Sequence, residues 1–148
     1  MRLVVDASTL VGELLRERGQ TLLASPHLEL YVPAGMWDET RHEVSRRLGI
    51  RVLKGLPQEI ADRFWAAAVR LKEGSVAEVP EELYEDLRDE AVSRLPRDPN
   101  DWQVVALALF LGVDILTADE DFFGCGVATW TVDTLISQLV RRSQSPFS

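Results

Sequence analysis

Five carboxylates stand where a parallel α/β chain would gather them: Asp6, Glu39, Asp98, Asp101 and Asp119. Asp6 ends the apolar run Leu3-Val4-Val5, and Asp119 follows the run from Val113 to Ala118. Asp98 and Asp101 open the apolar stretch Trp102 to Leu111, and Glu39 lies in the first turns of an earlier helix. In open parallel sheets the carboxyl ends of the strands and the adjoining helix starts share one crevice. Carboxylates collected there repel one another and persist as anions only with a cation between them. Mg²⁺ and Mn²⁺ favour such hard oxygen donors and keep several waters, so two to four Asp or Glu side chains suffice to hold them. A cation of this kind acidifies a water and stabilises the oxyanions of a phosphodiester during in-line displacement. The chemistry implied is metal-assisted hydrolysis of a phosphate ester.

Each acid also has a structural use. Asp6 could end its strand and cap the next helix, and Asp98 and Asp101 could both be caps, with Asp101 the better inward ligand. Asp119 could be a turn residue beside solvated Glu120 and Asp121, while Asp114, inside a strand, is structural. Glu39 and Glu43 are one helical turn apart and share a face, from which Asp38 is rotated away. Arg46 and Arg47 follow on the same helix. They either meet a phosphate backbone leaving the site or pair with Glu39 or Glu43 at i,i+3 and i,i+4. Trp37 and Trp102 beside these acids read as core. The chain has no phosphate-binding glycine loop, no dinucleotide fingerprint and no serine nucleophile elbow. His27 and His42 are its only histidines, and His42-Glu43 lacks the second histidine of a zinc helix.

Stepping outward, 148 residues with 46% apolar and 27% charged content suit one globular domain with a real core. The net charge of −8 argues against general affinity for nucleic acid. The charge is uneven, however: residues 1–75 hold eleven Lys/Arg against ten Asp/Glu, and residues 76–148 hold five against fourteen. Residues 41–54 carry five bases (Arg41, Arg46, Arg47, Arg51, Lys54) and one acid, Glu43. Cys125 is the single cysteine, so no internal disulfide or thiolate metal cluster is available. No stretch reaches the ~18 apolar residues of a membrane span, and no apolar leader opens the chain. The expectation is a cytoplasmic protein with no membrane association.

The elements that must position the acids follow from periodicity. Strands are expected at 2–6, 28–32, 76–79, 113–116 and 127–130. Helices are expected at 10–18 (capped by Ser8 or Thr9), briefly around Leu22 and Leu23, and at 36–48 with a stop at Gly49. Further helices are expected at 58–72, 81–94, 102–111 and 132–142, with 50–56 irregular. Alternating strands and helices imply an α/β domain with a mainly parallel sheet over 1–142 and a polar tail at 143–148.

At this point the chain resembles the PIN domain family. The carrying segments are Val4-Val5-Asp6-Ala7-Ser8, Val32-Pro33 followed six residues after the proline by Glu39, Asp101 to Ala108, and Leu116-Thr117-Ala118-Asp119-Glu120-Asp121-Phe122. Order and spacing are specific, not any one segment, and they span nearly the whole chain. The resemblance implies a three-layer α/β/α sandwich and an Mg²⁺- or Mn²⁺-dependent ribonuclease similar to VapC toxins. Asp6, Glu39, Asp101 and Asp119 would be its catalytic, metal-holding quartet. Asp98, Asp121, Thr117 and Ser8 would be auxiliary, as would Glu43, which could stand in for Glu39. Arg41, Arg46 and Arg47 would contact RNA. An antitoxin and a second copy of the chain are the implied partners. The residues 50–80 segment is longer than the shortest such domains need. A catalytically silent module that binds RNA or protein is the alternative; a phosphotransfer receiver is disfavoured because no lysine follows Lys72.

Overall fold

The computed structural model describes residues 1–144. Five strands form one wholly parallel sheet: β1 (Arg2–Val5), β2 (Glu29–Pro33), β3 (Val76–Val79), β4 (Asp114–Leu116) and β5 (Thr129–Trp130), in the order β3-β2-β1-β4-β5. β1 is central, with Val4 opposite Tyr31 on one side and Ile115 on the other. Side chains alternate between faces along a strand, and both faces are covered, which is why the inner strands are apolar without interruption. Leu3, Val5, Leu30, Val32 and Leu116 join one core, with α1 (Ala7–Leu14), α2 (Glu17–Leu23), α3 (Met36–Leu53), α4 (Gln58–Ser75) and α7 (Val132–Gln144). Val4, Val79 and Ile115 join the other, with α5 (Arg88–Ser93) and α6 (Trp102–Leu111). The result is the expected three-layer α/β/α sandwich.

The chain enters at β1, works outward to β3, then crosses to β4 on the far side of β1. That reversal leaves a crevice beyond the carboxyl ends of β1 and β4. α6 supplies a rigid wall behind it, since Val105, Ala106 and Leu107 are each 0% exposed. Gly112, in the left-handed region at φ 66°, stops that helix where expected.

Five of the helix expectations change, one of them at α4, which runs through Gly74 to Ser75, three residues past its expected end. α1 begins at Ala7, capped by Asp6 instead of Ser8 or Thr9, and ends at Leu14, so residues 10–18 are not one helix. Gly19 of α2 lies against the Glu13 backbone where a Cβ would collide, so the chain must turn between the two helices. α3 runs through Gly49 to Leu53, because buried Val44 and Leu48 and half-buried Val52 continue one apolar stripe at four-residue spacing. Its stop lies at Gly55, at φ 111°. There the Leu56 N–H donates to the Arg51 carbonyl and the Gly55 N–H to Val52, closing a Schellman motif. Residues 81–94 are not one helix but two single 3₁₀ turns, Glu81–Leu83 and Glu85–Leu87, followed by α5. The break falls at Tyr84, which takes φ −128° and buries its ring against Trp102 with centroids 6.1 Å apart. Tertiary packing overrides helix propensity there. α7 extends to Gln144, two residues beyond the expected end; residues 145–148 of the expected tail lie outside the described residues. Among the described residues no helix is long and apolar enough to cross a membrane.

Because Gly49 sits inside a helix with open space around its missing Cβ, Gly49→Ala should stabilise the protein by about 0.5–1 kcal/mol. Gly35→Ala, at φ 91°, should destabilise it by about 1–2 kcal/mol. Urea midpoints moving in the same direction for both variants would refute this reading of α3.

Candidate functional site

β1 delivers Asp6 to the crevice. Val5 pairs with Leu116, and the Asp6 N–H donates to the Leu116 carbonyl at 3.4 Å. The Asp6 side chain is buried and fully engaged: Oδ1 accepts from the Thr9 N–H at 2.8 Å, and Oδ2 accepts from the Thr117 hydroxyl at 2.7 Å. Asp6 therefore caps α1 and also bonds across the seam to the strand end at Thr117. Thr117, 0% exposed, also accepts from the Asp119 N–H at 3.0 Å. Asp119 Oδ1 in turn accepts from the Asp121 N–H at 2.9 Å, and the Thr9 hydroxyl accepts from the Ala118 N–H at 3.0 Å. A continuous hydrogen-bonded net thus ties the start of α1 to the loop after β4. Thr9 was not singled out as a site residue by the sequence. Its place three residues after a capping Asp is a local signal, but its partner is 109 residues away.

Asp98 caps the 3₁₀ turn Pro99–Asp101, accepting from the Asn100 N–H at 3.2 Å. Asp101 makes no side-chain capping bond to α6, so its carboxyl is left over and half-buried in the crevice. That carboxyl is pushed up to about 6 by burial, then by the charges of Asp98, Asp119 and Asp6, and by a hydrogen bond to Asp98 that favours the protonated form. Three of the sequence-expected acids therefore lie within electrostatic reach of Asp101. All their donors are hard oxygens, the type Mg²⁺ and Mn²⁺ favour, and a cation relieves the repulsion felt at Asp101. Among the described residues no three such side chains converge on a single ligating point, so they form an open cluster and not a closed cage. The donor chemistry fits a divalent ion.

Glu39 is exposed in the first turn of α3, beyond the end of β2 next to β1, and is not among the acids acting on Asp101. Glu43 is taken up by arginine: Arg46 donates to it at 2.6 and 3.0 Å and Arg47 at 2.8 Å. These hydrogen bonds, Arg46 first and then Arg47, hold the Glu43 carboxyl down at about 2. Arg46 and Arg47 thus follow the pairing alternative, and Arg41 lies 3.9 Å from Asp38. Ser8 is exposed on α1. Asp121 faces Arg97 at 3.8 Å. An apolar cleft of about 640 Å³ lies elsewhere, between α2 and α7, and does not contain the acids.

Thr117→Val leaves a buried carboxylate oxygen of Asp6 without its donor, and should lower stability by about 1–3 kcal/mol in thermal denaturation. Thr117→Ser should restore most of the loss; equal losses in both variants would mean that the methyl group, not the hydroxyl, matters. Asp101 gives a second expectation, for protein held in chelator. Its folded-state value lies above the ordinary carboxylate one, so the folded protein binds the proton more tightly than the unfolded chain. Stability is then lost as pH rises from about 4 to about 6 and stays lost above that. Asp101→Asn removes the effect, so its melting temperature should rise relative to wild type across that window and level off beyond it. A difference independent of pH would refute the coupling.

No curated protein matches the chain. A family model described as PIN domain matches residues 4–140, a span that takes in the end of β1, the other four strands and Asp6, Glu39, Asp101 and Asp119. The wholly parallel sheet and its helical layers agree with that match, and the chain belongs to the PIN domain family, whose members are generally nucleases with RNA-related roles.

Proposed function

We infer that this chain is a Mg²⁺- or Mn²⁺-dependent ribonuclease that hydrolyses RNA phosphodiesters at the crevice between β1 and β4. The observation that carries this reading is Asp101, whose carboxyl is driven up by burial and by three neighbouring aspartates at the switch point of a parallel sheet. Asp6, Asp101 and Asp119 would hold the cation, and Glu39 would complete the set from the α3 side. A bound divalent ion supplies positive charge for the phosphate oxyanions and acidifies a water beside them.

The chain's own groups do the rest. Asp6 cannot swing, because Thr9 and Thr117 grip both its oxygens. Thr117 orients Asp119 through the backbone N–H, so the two aspartates move as one unit. Asp101, on the rigid end of α6, holds its proton more tightly than an ordinary carboxyl while no cation is present and would give it up on binding one. Glu43, tied to two arginines, is suited to stiffening α3 and not to binding a cation. A VapC-like toxin role, an antitoxin that covers the crevice and a homodimeric state rest on the sequence resemblance and belong to the same reading.

The test is cleavage of a single-stranded RNA by purified protein with Mn²⁺. Wild type should cut and chelator should abolish cutting, while Asp6→Asn and Asp101→Asn should lose at least about 100-fold in rate. Asp101→Asn should do so while gaining thermal stability, the usual trade of a strained site. Wild type that cuts nothing, with variants that bind the same RNA equally well, would leave a silent binding module instead.

A further inference from the structure

On α3, Arg46 and Arg47 are held by Glu43 of their own helix, whereas Arg41 stands 3.9 Å from Asp38 in a pair that is itself long and exposed. Another cation stands at the acidic crevice itself. Arg97 immediately precedes Asp98, its side chain is 75% exposed, and it lies 3.8 Å from Asp121. A pair so long and so exposed is weak, so a phosphate can displace Asp121 from Arg97 with little loss. Asp121 is one hydrogen bond from Asp119, which places this guanidinium beside the acids where a scissile phosphate would sit.

Two residues past Asp121 stands Phe123, 51% exposed, whereas its neighbour Phe122 is 0% exposed. A single surface phenylalanine is ordinary; its mounting is what distinguishes this one. Phe122 and Cys125 are buried anchors on either side, and the Phe123 N–H donates to the Glu120 carbonyl at 3.0 Å. Gly124 and Gly126 both take φ 85°, folding the loop back on itself. From behind, the Arg94 guanidinium donates to the Cys125 carbonyl at 3.0 Å and fills the space where a Cβ on Gly126 would sit. The segment that carries Arg97 therefore also clamps the loop that carries Phe123. The exposed ring is thus carried on a braced loop, two residues from the acid that faces Arg97 and four from Asp119.

An exposed ring and an exposed guanidinium, linked through Asp121 at the same rim, match the two repeating surfaces of an unpaired nucleic-acid strand, the base face and the phosphate. We propose that Arg97 and Phe123 form the strand-binding rim of the site and select single-stranded RNA, Arg97 receiving a backbone phosphate and Phe123 stacking a base. This rests on the ribonuclease reading above. A duplex keeps its base faces stacked inside and offers Phe123 nothing, so paired RNA is discriminated against at this rim.

The experiment measures both cleavage with Mn²⁺ and equilibrium binding by fluorescence anisotropy in Ca²⁺. The probes are a labelled mixed-sequence 20-nucleotide RNA and its perfect duplex. Arg97→Ala should raise KM with kcat within about twofold and reduce the slope of log affinity against log salt by about one. Phe123→Ala should weaken single-strand binding by roughly 5- to 100-fold with the salt slope unchanged, and Phe123→Trp should retain it. Phe123→Ala should leave duplex binding unchanged, because a duplex offers the ring no free base face. Phe110→Ala, an equally exposed ring (46%) at the far end of α6, serves as control and should change nothing. Folded Arg97→Ala and Phe123→Ala variants with wild-type KM, affinity and salt slope would overturn the rim while leaving the nuclease reading intact. Wild type that binds but does not cut would end the nuclease reading, and the binding data alone would then decide the rim. Wild type that binds neither RNA would overturn both.

Discussion

A carboxylate buried at the junction of two parallel strands is unstable unless both its oxygens find donors, and Asp6 meets that requirement with one donor from its own helix and one from the opposite strand. The Thr117 hydroxyl is 111 residues distant in sequence, so the bond closes the crevice between the first strand and the fourth. Much of the site depends on that closure. Thr117 also holds the Asp119 backbone, Asp119 holds Asp121, and Thr9 holds Ala118. Asp101 is half-buried beside this net, and burial first, then the charges of Asp98, Asp119 and Asp6, lead its carboxyl to favour its proton. The site is thus a strained collection of like charges held in place by neutral hydroxyl and amide groups.

That strain is borne by the most rigid part of the molecule. α6 is buried almost all round and touches β1, β2 and β4, so Asp101 projects from an end that cannot withdraw. The adjoining segment is shaped to match. Tyr84 packs on one side of Trp102, and the Arg88 guanidinium lies over its ring at 5.1 Å. Residues 81–94 give up a regular helix to make these contacts, a local loss offset by burial of two large aromatics. The loop after Asp119 is braced from the same segment through Arg94, so both walls of the crevice share one support.

Charge is arranged by the same logic. The basic stretch on α3 suggested a path for substrate, yet Arg46 and Arg47 satisfy Glu43 at helical spacing. That pairing is local and was readable as an alternative from residue order. The position of Arg97 was not readable, because its neighbour Asp121 comes from a loop 24 residues later whose path depends on the packing of Phe122 and Cys125.

Residue order by itself determined the α/β class, all five strands to within two residues, and the acids that end β1, open α6 and follow β4. Those features depend on local periodicity and on turn and cap chemistry, which act over a few residues. It misplaced the end of α3 and the interior of residues 81–94, where distant packing outweighs propensity: Val52 continues a buried stripe past Gly49, and Tyr84 leaves its helix for Trp102. Only the tertiary structure decided that Asp6 serves as both cap and seam. It alone decided that Asp98 caps while Asp101 is left over, that Glu43 is absorbed by arginines and that Arg97 faces the acids. Each of these is a choice among partners for a polar group, and folding settles such choices by bringing together residues that the chain keeps far apart.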